Sequence, residues 1–336
     1  VESAVIAGRS SRGTFVVRGP LAEFPWQGFD PKQALFRIEA DVEGGRLDFM
    51  PSHRRIGSGR FQQAEYWPVL NGISAHLRFE GNGMFITGHS GTSEGLKARN
   101  VRVDIRNFSA DPPELRVQGD ISGDLSNALR YLRRTPMLRS IWNDAFDASE
   151  GRGPVETALS LVVPLEDDPH VRYSVRSHIS SGEFRYADRL PWIQGLSGEL
   201  LVTERGVSTP NAFEGKTSGG PVKVSARTAN GIVELHASGM LASADLPVLC
   251  LGPNVRMPIF DELSGTSPFE TTIRIPLSAD GPVRVSARSD LKGLSSHLPA
   301  PLAKNAGDAI PSSLELAFTH SGLQQIFFDM TRTGVV

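Results

Sequence analysis

The stretch Ile73-Ser-Ala-His-Leu-Arg-Phe79 decides the fold class. Ile73, Ala75, Leu77 and Phe79 fall on one side and Ser74, His76 and Arg78 on the other. A period of two belongs to a β-strand with one apolar and one wet face. The same alternation returns in Val101-Arg-Val-Asp-Ile-Arg106, Leu115-Arg-Val-Gln118, Val222-Lys-Val-Ser-Ala-Arg227 and Val233-Glu-Leu-His-Ala237. It continues in Ile273-Arg-Ile275, Val283-Arg-Val-Ser-Ala-Arg288 and Leu314-Glu-Leu-Ala-Phe318. Strands covered on both faces read as unbroken Val/Ile/Leu runs, and these do not. An all-β, antiparallel fold with minor α content follows.

One helix interrupts the strands. Asp124 is placed to cap it, Leu125, Ala128, Leu129 and Leu132 form its apolar stripe, and Arg133 and Arg134 lie at its C-terminal end before Thr135-Pro136. A shorter helical turn fits Asp245 to Leu251, with Pro247 confined to its first turn.

The chain repeats itself. Pro164-Leu165 and Val171-Arg-Tyr-Ser-Val-Arg-Ser177 match Pro276-Leu277 and Val283-Arg-Val-Ser-Ala-Arg-Ser289, each pair 112 positions apart. An earlier copy matches Val42-Glu-Gly-Gly-Arg-Leu47 to Ile179-Ser-Ser-Gly-Glu-Phe184, and Leu70-Asn-Gly-Ile-Ser74 to Ile193-Gln-Gly-Leu-Ser197. Val117-Gln-Gly-Asp-Ile121 leading to Asp124-Leu125 parallels Ala237-Ser-Gly-Met-Leu241 leading to Asp245-Leu246. Two nearly complete units and the start of a third are expected to stack into a quasi-linear β-solenoid.

Composition narrows the function classes. Lys+Arg 35 against Asp+Glu 37 gives a net charge of -2 over 336 residues, which leaves no basic excess for nucleic acid. The single cysteine, Cys250, excludes an internal disulfide and a multi-cysteine metal cage. No apolar run approaches the ~18 residues needed to span a bilayer. The chain starts at Val1 with no initiator Met or leader and reads as an internal portion of a longer protein.

A search for catalytic chemistry returns little. There is no phosphate-binding loop motif, and Gly57-Ser-Gly59 is a turn signal without a dinucleotide fingerprint. Gly88-His-Ser-Gly91 and Gly195-Leu-Ser-Gly198 both fail the nucleophile-elbow pattern. None of the eight histidines shows metal-ligand spacing, and His76 and His236 fall on polar strand faces. Asp144, Asp147 and Glu150 lack the alternating acids and fixed glycine of a calcium loop. Trp67 and Trp192, beside Pro68 and Pro191 at matching repeat positions, read as packing anchors rather than a sugar platform. No catalytic residue, cofactor or metal is expected, and the chain is not expected to be an enzyme.

What remains is the apolar face. Alternation alone is also compatible with the sealed core of a sandwich, but repetition turns it into one continuous apolar surface. In the first copy this face carries Ile73, Ala75, Leu77, Phe79, Val101, Val103, Ile105, Leu115 and Val117. Leu200, Val202, Val222, Val224, Val233, Leu235, Ile273, Ile275, Val283 and Val285 continue it. Arg78, Arg102, Arg106, Arg116, Lys223 and Arg284 are expected on the opposite, solvated surface.

Four segments in register resemble the YhdP family of the AsmA-like superfamily. Thr14-Phe-Val-Val-Arg-Gly-Pro-Leu-Ala-Glu-Phe-Pro25 is similar to its strand-plus-"GPLADFPF" signature, and residues 66–81 resemble its strand following a Trp-Pro corner. Gly119-Asp-Ile-Ser-Gly-Asp-Leu-Ser-Asn-Ala-Leu-Arg-Tyr-Leu132 resembles its helix-bearing segment. Leu291-Lys-Gly-Leu-Ser-Ser-His-Leu-Pro-Ala-Pro-Leu-Ala-Lys304 is similar to its "GLSSDLPAPLGK" stretch, with His297 in place of the usual Asp.

The resemblance implies an elongated, taco-like antiparallel β-groove of stacked repeats, as in bridge-like lipid-transfer proteins of the Gram-negative periplasm. It implies phospholipid as the partner, its acyl chains lying in the groove between inner and outer membranes. An inner-membrane anchor would lie outside these residues, with a possible further partner in the periplasm or outer membrane. On this reading residues 1–32 end a preceding repeat, 33–152 form a repeat with its helix near 124–134, 153–255 form the next, and 256–336 begin another. The nineteen face residues named above would line the groove. The rival expectation is a structural envelope scaffold with a sealed core and no ligand.

Overall fold

A computed structural model describes residues 5–23, 33–48, 68–135, 148–166, 170–187, 190–251, 257–277, 281–319 and 322–330. Trp67, Asp144, Asp147, Pro136 and Gly57-Ser-Gly59 lie outside them. The chain divides into two compact units, one of residues 1–140, 155–177 and 202–204, the other of residues 141–154, 178–201 and 205–336.

In the first unit, β1 (Val5–Arg18), β2 (Leu35–Leu47), β3 (Leu70–Glu80), β4 (Gly83–Ser93), β5 (Leu96–Ile105) and β6 (Glu114–Asp124) pair in sequence, each antiparallel to the last. Helix α1 (Leu125–Arg134) then follows directly on β6. Its Asp124 cap accepts from the Ser126 N–H at 2.9 Å, which satisfies one of the donors a helix start leaves free. Leu125 and Leu129 are buried, and Arg134 reaches Glu94 in the β4–β5 turn at 2.7 Å. Burial, and secondly the Glu94 carboxylate, pushes the Tyr131 phenol up to about 12. The helix therefore sits at the strand ends where β4 turns into β5.

The second unit is built alike. Short β7 (Glu150–Arg152) lies on β9 (Arg172–Arg185) through residues 183–185. Beyond them β12 (Phe213–Thr217), β13 (Gly220–Ala229), β14 (Ile232–Ala242), β15 (Leu263–Pro276), β16 (Val283–Ser289), β18 (Ser312–Thr319) and β19 (Gly322–Met330) pair antiparallel in that order. Helix α2 (Leu246–Leu251) follows β14 as α1 follows β6, and Pro247 sits in its first turn. Strand β8 (Pro154–Pro164) lies in the first unit from Val155 onward, and β9 and β10 (Ile193–Thr203) contribute residues to both. Short β11 (Gly206–Ser208) and β17 (Leu294–Ser296) complete the set, and β17 pairs with the start of β15.

The repeat survives at the level of backbone irregularities. Gly72 on β3 and Gly195 on β10 adopt φ of 61° and 63°, each at a register shift. This left-handed conformation is open to glycine and strained for L side chains. Gly44 and Ser181, aligned in the sequence repeat, share φ of 62° and 54°. Both β8 and β15 end in the matched Pro-Leu step, and the leucine N–H donates to a carbonyl at 2.8 Å, Leu165 to Pro113 and Leu277 to Gly231. A bulge is specified by backbone stereochemistry, so its recurrence shows that the sequence repeat is a structural one.

All eight alternating segments read from the sequence lie in strands, and the helix starts after Asp124 as its cap requires. Every strand pairing among the described residues is antiparallel; β1 pairs there with β2 and β19 with β18, and the ladder is open at both strands.

Candidate functional site

Register sorts the side chains into two faces, because directly paired residues in antiparallel strands share a face. In the first unit Phe15, Ile38, Phe79, Met84, Ile105 and Leu115 stand opposite one another across six strands. The next row on that face is Gly13, Ala40, Leu77, Ile86, Val103 and Val117. The row after it holds Val42, Ala75, Gly88 and Val101. No charged side chain enters these three rows.

The other face is mostly charged and polar. Thr14, Glu39, Arg78, Phe85, Asp104 and Arg116 form one row, and Arg12, Asp41, His76, Thr87, Arg102 and Gln118 another. Asp41 and His76 meet at 2.8 Å, and that hydrogen bond holds the Asp41 carboxyl below its ordinary range. Arg37 and Glu80 pair at 3.1 Å, and the Arg78 guanidinium lies 5.0 Å over the Phe85 ring. Opposite charges across a strand pair stabilise a wet face modestly and keep water on that side.

The second unit repeats the division. Ala226, Leu235, Ile273, Val285, Leu316 and Ile326 form one apolar row. Phe213, Val224, Ala237, Thr271, Ala287, Leu314 and Phe328 form its neighbour. Behind them Arg227, Glu234, Arg274, Arg284, Ala317 and Gln325 line up on the polar side. Glu234 bonds Arg227 at 2.5 Å and Arg274 at 3.0 Å, and these guanidinium groups, Arg227 foremost, lower its pKa. Lys223 pairs with Glu214 at 2.9 Å on the same face.

The structure brings the predicted face residues together. The nine in the first copy share one face of β3, β5 and β6. In the second unit, Val222, Val224, Val233, Leu235, Ile273, Ile275, Val283 and Val285 share one face of β13 to β16. Leu200 and Val202 alternate on β10 with Gly198, where an added β-carbon would meet the Phe213 ring. Sequence reading missed Met84 and Ile86, because Phe85 between them hides the alternation of β4. It also missed Ile326 and Phe328, which flank Phe327 on β19.

Exposure distinguishes this face from a core. Of the nineteen predicted residues, Ala75, Ile105, Val222 and Val233 are buried and fifteen are half-buried. At the open strands the face is bare, with Phe15 65% and Phe328 59% exposed. A second sheet stacked ~10 Å away covers the large apolar side chains of a sandwich far more completely.

No group of three or more metal-ligating side chains is found among the described residues. Gly88-His-Ser-Gly91 lies inside β4, and the Ser197 hydroxyl donates to the Gly195 carbonyl at 3.3 Å within β10, so neither serine stands at a strand-to-helix elbow. The guanidinium groups of Arg152 and Arg185 lie 4.8 Å and 5.0 Å from the centre of the Trp192 ring, within cation–π range. No helix among the described residues is long and apolar enough to cross a membrane.

An extended apolar face, repeated and backed by charge, matches what the four family-like segments imply. A family model described as YhdP protein matches residues 1–332. The chain belongs to the YhdP family. It is 22% identical over 323 residues to the intermembrane phospholipid transporter YhdP of Escherichia coli (strain K12), across 94% of this chain and 23% of that protein. This YhdP-family chain therefore spans about a quarter of its relative's length. No solved structure matches it.

Proposed function

We propose that the chain is a periplasmic segment of a bridge-like lipid-transfer protein whose apolar face shields phospholipid acyl chains between inner and outer membranes. The observation that carries this reading is the pair of apolar rows running uninterrupted across six strands while most of their side chains stay half-exposed. Membership of a family with a phospholipid transporter supports it.

The physical need is plain. A phospholipid carries roughly 30 methylenes, and at about 0.8 kcal/mol each their exposure to water costs on the order of 20 kcal/mol. A trough of Leu77, Ile86, Val103 and Val117 replaces the bilayer around the chains and removes most of that cost. The head group stays in water, where its charge is solvated. The work is binding and sliding, so no nucleophile, base or metal is required of the chain. On this reading the nineteen face residues line the groove, repeats run over 33–152 and 153–255, and the membrane anchor lies outside these residues.

Native mass spectrometry of the purified chain, with extraction and identification of bound lipid, tests the proposal. Bound phospholipid that is lost on Val103→Asp or Val224→Asp, with the fold intact, is the expected result. A stably folded chain without lipid would favour the sealed scaffold.

A further inference from the structure

In both units one valine of the apolar face is paired with glycines on the two neighbouring strands, and at least one of those glycines lies unusually close to it. Val101 on β5 stands opposite Gly88 on β4, and on its other side lies Gly119 of β6. Val222 on β13 stands opposite Gly215 on β12 and Gly239 on β14. β-carbons of directly opposed residues ordinarily lie about 4.5–5.5 Å apart. A β-carbon at Gly88 would stand 3.0 Å from the Val101 β-carbon, and one at Gly119 3.1 Å from Val101 Cγ2. One at Gly239 would stand 3.1 Å from the Val222 β-carbon and 2.5 Å from the Pro221 carbonyl oxygen.

Such convergence on one face means that adjacent strands fold toward that face. Side chains on both members of these pairs would collide and force the strands flat, so the missing β-carbons permit the fold. Gly88 needs no unusual backbone angle and Gly119 none either, since neither has a positive φ. Their value is space rather than conformational freedom.

We propose that Val101 with Gly88 and Gly119, and Val222 with Gly239, are creases that bend the apolar face into a trough narrow enough to hold alkyl chains. They are positioning residues, acting through the curvature of the wall. The link to alkyl chains rests on the conduit reading above; the curvature itself does not.

The cleanest test is Gly119→Ala, because Val101 Cγ2 is the one group closer than 3.4 Å to the new methyl. Trimming the partner in Val101→Ala/Gly119→Ala removes that contact and should restore the wild-type geometry. Spin labels on Thr87→Cys and Gln118→Cys, in a Cys250→Ser background, report the separation of β4 and β6 on the charged side. That side is convex at a crease, so flattening in Gly119→Ala should shorten the label separation by about 2 Å, the slack between the crowded and ordinary spacing. The Val101→Ala/Gly119→Ala chain should return to the wild-type separation, and lipid occupancy by native mass spectrometry should fall and recover in step.

An unchanged label separation in Gly119→Ala overturns the crease whatever the lipid does. A changed separation with unchanged lipid overturns its part in binding. If Gly119→Ala fails to fold, folding of Val101→Ala/Gly119→Ala supports the steric account and failure of both overturns it. A wild-type chain without lipid sinks the conduit reading and leaves the crease to the label distances.

Discussion

Two copies of one design differ most where they matter least for the apolar wall. In the first copy β4 is a single strand, Gly83–Ser93, whereas its counterpart is broken into β11, Gly206–Ser208, and β12, Phe213–Thr217. Pro210 lies in the break, and a residue without an N–H cannot complete a ladder there. The helix shortens from ten residues in α1 to six in α2. The bulge glycines Gly72 and Gly195, the seated valines Val101 and Val222, and the apolar rows are kept in both copies. The wall is specified tightly and the caps at its end loosely, which suits a protein whose working part is the wall.

The largest expected effect comes from charging the wall. Val103→Asp and Val224→Asp should each lower phospholipid occupancy roughly tenfold or more, since each ~1.4 kcal/mol is a factor of ten and an unpaired carboxylate in an apolar site costs more than that. Arg102→Asp, one residue away on the wet face, should leave occupancy unchanged. Equal losses on both faces would break the distinction between them.

Next come the bulges. Gly72→Ala and Gly195→Ala should each destabilise by about 1–2 kcal/mol, measured as a shift in denaturant midpoint. A β-carbon meets nothing within 4 Å at either position, so the cost is backbone strain alone and should be equal in the two copies. Unequal costs would mean that the repeated geometry hides different local packing.

The caps should separate the copies. Asp124→Ala removes the bond to the Ser126 N–H and should cost about 0.5–2 kcal/mol. Asp245→Ala should cost less, because the Asp245 carboxylate takes its bond from the Ser218 hydroxyl rather than from a helix N–H.

The smallest effect is a titration. Tyr131, pushed up to about 12, should ionise after Tyr173 and Tyr186 in an ultraviolet titration compared with Tyr131→Phe. A raised phenol pKa means that the folded chain holds its proton longer than the unfolded one. The helix contact is therefore fully favourable below about pH 10 and weakens as pH rises through 12. Ionisation at the ordinary pKa would mean that α1 does not bury its tyrosine.

Much of the wall was legible in the sequence because alternation is a one-dimensional signal. Ile73 to Phe79, Val222 to Arg227 and Val283 to Arg288 each carry their face assignment locally. Asp124 and Thr135-Pro136 likewise mark the ends of α1 by chemistry confined to a few residues. β4 was obscured because Phe85 is a large apolar residue on the wet face, accommodated there by the Arg78 guanidinium. The creases were invisible for a different reason. Gly88, Val101 and Gly119 are distant in sequence, and only the register of three strands shows that two glycines flank one valine.

The most direct test of the central claim is photocrosslinking from each face in cells. A photoreactive phenylalanine analogue placed at Leu77, Val103, Val224 or Leu235 should capture phospholipid, while the same probe at Arg102 or Lys223 should not. Capture from both faces alike, or from neither, would contradict the assignment of the apolar face as a path for lipid.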